Sequence, residues 1–412
     1  MNKNIIFNLS ATFINIGFPI ILIPLLTTNL GINDYGIYVT IIALLGLLTI
    51  VFELGLDMSS SFILNDQSDS VNHKLKSKKV SNLIFLKLVL SFFAFLPLYF
   101  YLDFKFDGRF GWEVYSFFFL FFNKQNGILN ACNKYKQITA IELISKLLML
   151  ILILGFIDDL DLELLFRFQF YSLILTFILT FYILFDCFEI NIRDICRHQI
   201  KNIFLVTKGF YLSRLSYNIY FQSSVFIASI FLSYDKVGIY AIANQIYKVA
   251  TSIIGSVSKV IYTSIEKEKT KTIIKFIKLL SILWFFGLFI VVFFGSSILD
   301  IILPNLAIDY FYPAVLIFYI TVLFNLISSM MGYPLQSSSD GDITKAHLGV
   351  LAGSIFYFPI LMLLIQINGI SIISFVLAIF ITEVFTSIIR MKYGYHLIKK
   401  ALFDDNLGKE EI

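Results

Sequence analysis

The sequence predicts an all-α polytopic membrane protein: about twelve transmembrane helices in two parallel six-helix bundles around a central cavity, both termini cytoplasmic. Three observations predict it. Of 412 residues, 58% are hydrophobic and only 15% are charged, where soluble domains carry roughly 25%. The apolar residues fall into runs of about 20, the length that crosses a bilayer core. A short stretch also occurs twice, about half a chain apart, as LGINDYGIY at 30–38 and LSYDKVGIY at 232–240. Each copy leads from polar residues through Gly-Ile-Tyr into a long apolar run. That reads as a loop entering a membrane helix, in a chain built from two related halves.

The first span, about 5–28, has no small-residue cleavage site after a short core, so it reads as a retained helix. Pro19 and Pro24 lie inside it. Each removes a backbone donor and bends a helix, which makes them candidate gating kinks. Spans follow at about 35–56, 81–102, 113–131, 138–157 and 164–185. The fourth is partly polar, with Asn123, Lys124, Gln125 and Asn126 in sequence. The second half repeats the pattern at about 208–231, 238–262, 276–299, 310–331, 345–365 and 370–389. Residues 1–190 then form an N-terminal bundle, 191–207 a cytoplasmic amphipathic linker carrying Arg193, Arg197 and Lys201, 208–392 a C-terminal bundle, and 393–412 a tail.

Loop charge sets the orientation. The loops after spans two, four, six and eight are basic, as is the C-terminal flank with Arg390, Lys392, Lys399 and Lys400. The opposite loops carry little Lys or Arg, and one, DDLDLE, is purely acidic. The positive-inside rule places the basic side in the cytoplasm. Both copies of the repeat then start at the outer face. Gly36 and Gly238 suit tight turns or close packing there, with Tyr38 and Tyr240 as interfacial anchors. The cysteines (Cys132, Cys187, Cys196) fall on the cytoplasmic side, without metal or disulfide spacing.

Charges inside the spans are the candidate functional residues, because each costs about 2.5–3.5 kcal/mol at a helix centre on insertion scales. Glu142 and Lys146 stand i, i+4 and read as an intrahelical pair. Lys87 and Arg167 lie near membrane edges and read as snorkelling side chains. Glu53 and Asp57 are one turn apart at the end of span two. With Glu383 they are the candidates for ion coupling, while each also has a basic flank to pair with. Lys124, Arg214 and Lys248 are the candidate substrate cations. In a wet cavity they would attract an anion, and a guanidinium suits phosphate oxygens. The competing reading pairs them with Glu53, Glu142 or Glu383.

Several function classes find no support in the residues. There is no P-loop for nucleotide hydrolysis, no HExxH or GxSxG, and no soluble segment long enough for a catalytic domain. The expectation is a protein that is not an enzyme, with no cofactor, no metal and no nucleic-acid partner.

Four elements carry a family resemblance. They are Asn8, Gly17 and Pro24 running into LGINDYGIY; the helix ending FELGLD; NGILNACNKYK; and LSYDKVGIYAIANQIYKVATSI. Together they resemble the polysaccharide flippases of the O-antigen transporter (Wzx) type, in the multidrug/oligosaccharidyl-lipid/polysaccharide exporter superfamily. The resemblance implies two six-helix bundles rocking around a central cavity in the bacterial inner membrane. It implies an undecaprenyl-pyrophosphate-linked oligosaccharide, an O-antigen or capsular repeat unit, as cargo. Membrane lipid, a polysaccharide polymerase and a chain-length regulator are the implied partners. The rivals are an ion-coupled multidrug exporter of the same superfamily, a membrane enzyme of polysaccharide assembly, and a non-transporting envelope scaffold. A drug exporter calls for a net acidic cavity, whereas the buried candidates here lean cationic.

Overall fold

A computed structural model describes residues 3–64, 73–108, 110–264, 269–302, 308–337 and 343–407, and among them every regular element is a helix. In order these are α1 (Lys3–Asn29), α2 (Gly31–Glu53), α3 (Leu56–Leu64), α4 (His73–Phe106), α5 (Trp112–Phe122), α6 (Asn126–Ala131), α7 (Tyr135–Gly155) and α8 (Leu162–Cys187). A 3-10 turn at Ile192–Asp194 leads to α9 (Arg197–Phe221), α10 (Ser224–Phe231), α11 (Tyr234–Ser264), α12 (Lys269–Ile302), α13 (Ile308–Ser337), α14 (Ile343–Asn368) and α15 (Ile372–Leu407). Each expected span falls on one helix or on a broken pair. Among the described residues, seven helices are long and apolar enough to cross a membrane. Their outward faces carry large apolar side chains such as Phe104, Ile151, Tyr182 and Ile367, as lipid-facing surfaces do.

Three expected spans are interrupted, the seventh at Gln222–Ser223 between α9 and α10. Span two stops at Glu53, because Leu54 (φ 52°) and Gly55 (φ 75°) take the left-handed conformation that closes a helix. Asp57 therefore sits on α3, not one turn further along α2. Span four breaks at Asn123–Gln125, between α5 and α6. The stretch expected as a linker forms the 3-10 turn and the opening of α9, which continues unbroken into span seven. Lys74–Lys79, expected in a loop, lie on the first turns of α4.

The chain divides into two compact units. The first holds Met1–Phe18, Asn29–Asp34 and Thr40–Asn218; the second holds Pro19–Thr28, Tyr35–Val39 and Ile219–Ile412. In the first unit, α8 packs against α5 and α7. Phe166 on α8 meets Phe118 edge-on at 5.6 Å, in a buried aromatic block. At the basic end, Leu83, Leu86, Ile128, Leu184, Phe188 and Ile203 form one apolar cluster. Asn82 ties the 3-10 turn to α4: its amide donates to Asp194 O at 3.0 Å and to Gln199 Oε1 at 2.8 Å, and it accepts from Cys196 N at 2.9 Å.

In the second unit, α15 packs along α13 and α14, and α13 along α11. Gly349 and Gly353 open α14 to α15: a Cβ on Gly349 would lie 3.0 Å from Arg390, and one on Gly353 would collide with the Thr386 hydroxyl. This is close packing of the small-xxx-small kind. Within the same unit Gly36 lies against the main-chain carbonyl of Tyr234, so the two copies of the repeat touch where a side chain would not fit. Tyr240 departs from expectation. It is not an interfacial anchor but fully buried, its ring about 6 Å from those of Phe318 and Phe375.

Candidate functional site

In the first unit the charges gather where α2 and α5 break. Lys87 on α4 is 5% exposed, so it does not snorkel. Its ammonium lies 2.6 Å from Asp57 Oδ1 and also donates to the main-chain carbonyl of Lys124. That carbonyl belongs to the α5–α6 break, where no helical N–H satisfies it; the lysine replaces the missing donor. Glu53, also buried, accepts from Asp57 N at 3.1 Å and so caps α3. Gly127, at the start of α6, lets this helix sit on α3; a Cβ there would be 2.5 Å from the Asp57 Cα and O atoms. Glu53 and Asp57 are thus bound into a three-helix junction. A groove beside it is lined by Thr49, Glu53, Lys87, Ser91 and Phe122.

The break also sets the direction of Lys124. Its ammonium lies 4.6 Å from the centroid of the Phe121 ring. A recess at this point is lined by Asn123, Lys124, Gln125, Asn126, Thr176 and Thr180. The expected Glu142–Lys146 pair is not made. Glu142 instead accepts from Asn126 Nδ2 at 3.1 Å, and Lys146 stands 5.1 Å over the Phe18 ring. Lys146 is close enough to Lys124 to be repelled by it and close enough to Glu142 to be attracted by it. Among the described residues, no carboxylate lies within ion-pair distance of Lys124 or Lys146. Arg167, by contrast, pairs with Glu163 at 2.8 Å and with Glu113 at 4.0 Å, which removes it from the candidates.

In the second unit Glu383, on α15, is 1% exposed. Its carboxylate accepts from the Tyr220 hydroxyl at 3.0 Å and from Asn325 Nδ2 at 3.4 Å. Tyr247 and Arg390 face it as well, but Arg390 directs its Nη1 to Ser328, 3.1 Å from Oγ. Four helices therefore converge on one carboxylate, and its hydrogen-bond partners named here are neutral. Lys248 lies 3.4 Å from Gln222 Oε1 and 5.4 Å from the Phe221 ring centroid. Among the described residues it too has no carboxylate within ion-pair distance.

The reading that pairs the candidate cations with Glu53, Glu142 and Glu383 therefore fails for Lys124 and Lys248. The carboxylates hold amides, hydroxyls and a backbone N–H, and the lysines lie over aromatic rings. Arg214 lies on α9, and its side chain is outside the described residues. Sequence reasoning set Lys146 aside because of its i, i+4 spacing to Glu142; the two attract each other but make no close ion pair, and the ammonium stands over the Phe18 ring. Pro19 and Pro24 both lie within α1, which is helical through each. Among the described residues, no group of three His, Cys, Asp or Glu would hold a metal ion.

Comparison with known proteins places this geometry in a fold. The sequence matches the family described as Polysaccharide biosynthesis protein over residues 1–263. The structure is similar to an inward-facing multidrug resistance MATE family transporter of the MOP superfamily, with TM-score 0.74 at 14% identity, covering 96% of this chain and 98% of that one. It is similar to the eukaryotic MATE transporter AtDTX14, with TM-score 0.68 at 12% identity, covering 97% and 98%. It is also similar to a MOP superfamily transporter from Pyrococcus furiosus described as having a binding pocket of reverse polarity, with TM-score 0.56 at 15% identity, covering 96% of each chain. No curated protein matches by sequence. The chain thus has the all-helical, multi-pass fold of the MOP superfamily.

Proposed function

The chain belongs to the Polysaccharide biosynthesis protein family, and on that premise we propose that it is a flippase of the Wzx type. Its cargo is an undecaprenyl-pyrophosphate-linked oligosaccharide, moved from the cytoplasmic to the outer leaflet of the bacterial inner membrane by alternating access. The observation that carries this reading is that Lys124 and Lys248, on stretches expected to span the membrane, lie over aromatic rings with no carboxylate within ion-pair distance among the described residues, and that Lys146 stands over a third ring. A lysine desolvated over an aromatic ring gains about 2 kcal/mol from the ring. That leaves the ammonium able to take a stronger anionic partner when one arrives. A pyrophosphate supplies several oxygens for such contacts. The lipid tail stays in the bilayer while the head group crosses.

Glu383 is the site proposed for coupling. Proton or cation occupancy would neutralise it between Tyr220 and Asn325 and bias the packing of α15 against α13. Glu53 and Asp57, proposed from sequence for the same role, are better explained as the cap and counter-ion of the α3 junction. The reading assigns the protein no covalent chemistry and needs no cofactor. Cationic drugs, the cargo of the rival exporter reading, would meet repulsion from the same lysines.

The test is reconstitution of the full chain in proteoliposomes carrying an undecaprenyl-pyrophosphate-linked oligosaccharide in the outer leaflet. A membrane-impermeant pyrophosphatase then reports how much head group is still outside. Loss of accessible head group in protein-containing vesicles, beyond that in protein-free ones, supports the proposal. Equal accessibility in both, alongside uptake of a cationic dye, would replace it with the drug-exporter reading.

A further inference from the structure

The opening turns of α9 carry a two-sided pattern that neither the cavity cations nor the coupling site uses. Ile203 and Thr207 are buried, and Ile200 and Val206 pack against the apolar cluster of the first unit. The opposite face exposes Arg197, Lys201, Phe204, Leu205 and Lys208. At 3.6 residues per turn the three cations project within about 40° of one another. Phe204 lies on one side of that strip and Leu205, 66% exposed, on the other.

The strip is held rigidly at a fixed height. Asn82 fixes the chain just before α9 through Asp194, Cys196 and Gln199. Asp194, the acidic residue nearest in sequence, faces Lys78 at 3.9 Å. Among the described residues no carboxylate lies within ion-pair distance of Arg197, Lys201 or Lys208. Beyond Lys208 the same helix runs on into the stretch expected as span seven. On the neighbouring α8, Tyr182 and Phe185 are exposed at the matching end. A strip of three uncompensated cations flanked by two apolar side chains, at the rim of lipid-facing helices, matches a surface of phosphodiester head groups above acyl chains.

We propose that Arg197, Lys201 and Lys208 form a binding strip for anionic glycerophospholipid head groups in the leaflet on the basic side, with Phe204 and Leu205 set into the acyl boundary. The strip anchors the first unit to that leaflet. The proposal requires only that the chain is embedded in a membrane, and it stands whatever the cargo is.

The test uses the full chain with its three cysteines replaced and a fluorophore on Leu205→Cys, reconstituted in phosphatidylcholine vesicles. Brominated phosphatidylglycerol or brominated phosphatidylcholine is titrated in, and quenching reports local lipid composition. Half-maximal quenching is expected at a mole fraction at least tenfold lower for the phosphatidylglycerol. Each of the variants Arg197→Gln, Lys201→Gln and Lys208→Gln, all at exposed positions, is expected to weaken that preference about fivefold. The triple variant abolishes it, and raised salt weakens it. Equal quenching by the two lipids, or an unchanged preference in all the single variants, would overturn the proposal. So would loss of the preference on adding millimolar inorganic phosphate at constant ionic strength, which would assign the strip to a free anion.

Discussion

Lys87 Nζ lies 2.6 Å from Asp57 Oδ1, and the same ammonium donates to the main-chain carbonyl of Lys124. One side chain therefore holds the start of α3 and the break between α5 and α6. Removing a partner from a buried pair leaves an uncompensated charge, at a cost of about 3–5 kcal/mol. Lys87→Met is expected to cost about that much, since it also strands the Lys124 carbonyl. Asp57→Asn is expected at the lower end, because the Asp57 side chain is 31% exposed. Thermal unfolding in detergent, read as a double-mutant cycle, checks both. Additive single effects would mean that the pair does not couple the two helices.

Gly127 makes a second, independent claim on the same junction. Its missing Cβ would lie 2.5 Å from main-chain atoms of Asp57, and main chain does not swing aside. Gly127→Ala is expected to destabilise by about 1–3 kcal/mol through overpacking. Gly155, where a Cβ meets nothing within 4 Å, serves as the control: Gly155→Ala is expected to be neutral or mildly stabilising, by up to about 1 kcal/mol. Equal unfolding midpoints for the two variants would contradict the close approach of α6 and α3.

Glu383 separates coupling from folding. Glu383→Gln keeps the shape and can still accept from Tyr220 through its single amide oxygen, giving up only the longer contact from Asn325 Nδ2, so the protein is expected to fold and bind cargo. Transport is expected to lose its dependence on the ion or pH gradient. Tyr220→Phe instead removes one donor from a buried carboxylate and is expected to cost about 1–3 kcal/mol of stability. Transport measured with and without a gradient distinguishes the two variants. A Gln variant that still responds to the gradient would move coupling elsewhere.

Cys132 gives a readout outside the spans. Burial, with a smaller contribution from nearby Cys187, pushes its thiol up to about 11, while Lys134 and Lys76 partly oppose this. Alkylation requires the thiolate. A chain retaining only Cys132 is therefore expected to react slowly with a maleimide at pH 7, and about tenfold faster per pH unit up to roughly pH 10. A chain retaining only Cys196, which is exposed, is expected to react faster at pH 7. Equal rates at pH 7 would show that α6 and α8 do not bury Cys132.

Much of the helical architecture was legible in the sequence, because spans announce themselves by length and apolarity. The breaks were not. Leu54 and Gly55 lie between Glu53 and Asp57 inside one expected span, where a glycine serves a membrane helix as readily as it stops one, and at Asn123–Gln125 a lysine from α4 satisfies the freed carbonyl. The second is a tertiary fact. The same holds for the charges: i, i+4 spacing joined Glu142 to Lys146, whereas Asn126 reaches Glu142 across the junction. Lys87 looked peripheral by position and proved central by contact. Lys124 and Lys248 stand out in the sequence as cations inside expected spans, but only the contacts show that, among the described residues, no carboxylate lies within ion-pair distance of either.

That absence of a close carboxylate is the central claim, and charge removal tests it most directly. Lys124, Lys146, Lys248 and Arg214 are each changed to Ala, singly and together, and export of lipid-linked sugar is measured in cells with matched protein levels. The account predicts a severalfold loss for single variants, a loss of at least tenfold for the combination, and substantial recovery when the lysines are replaced by Arg. Full export by the combined variant, at normal abundance, would contradict it.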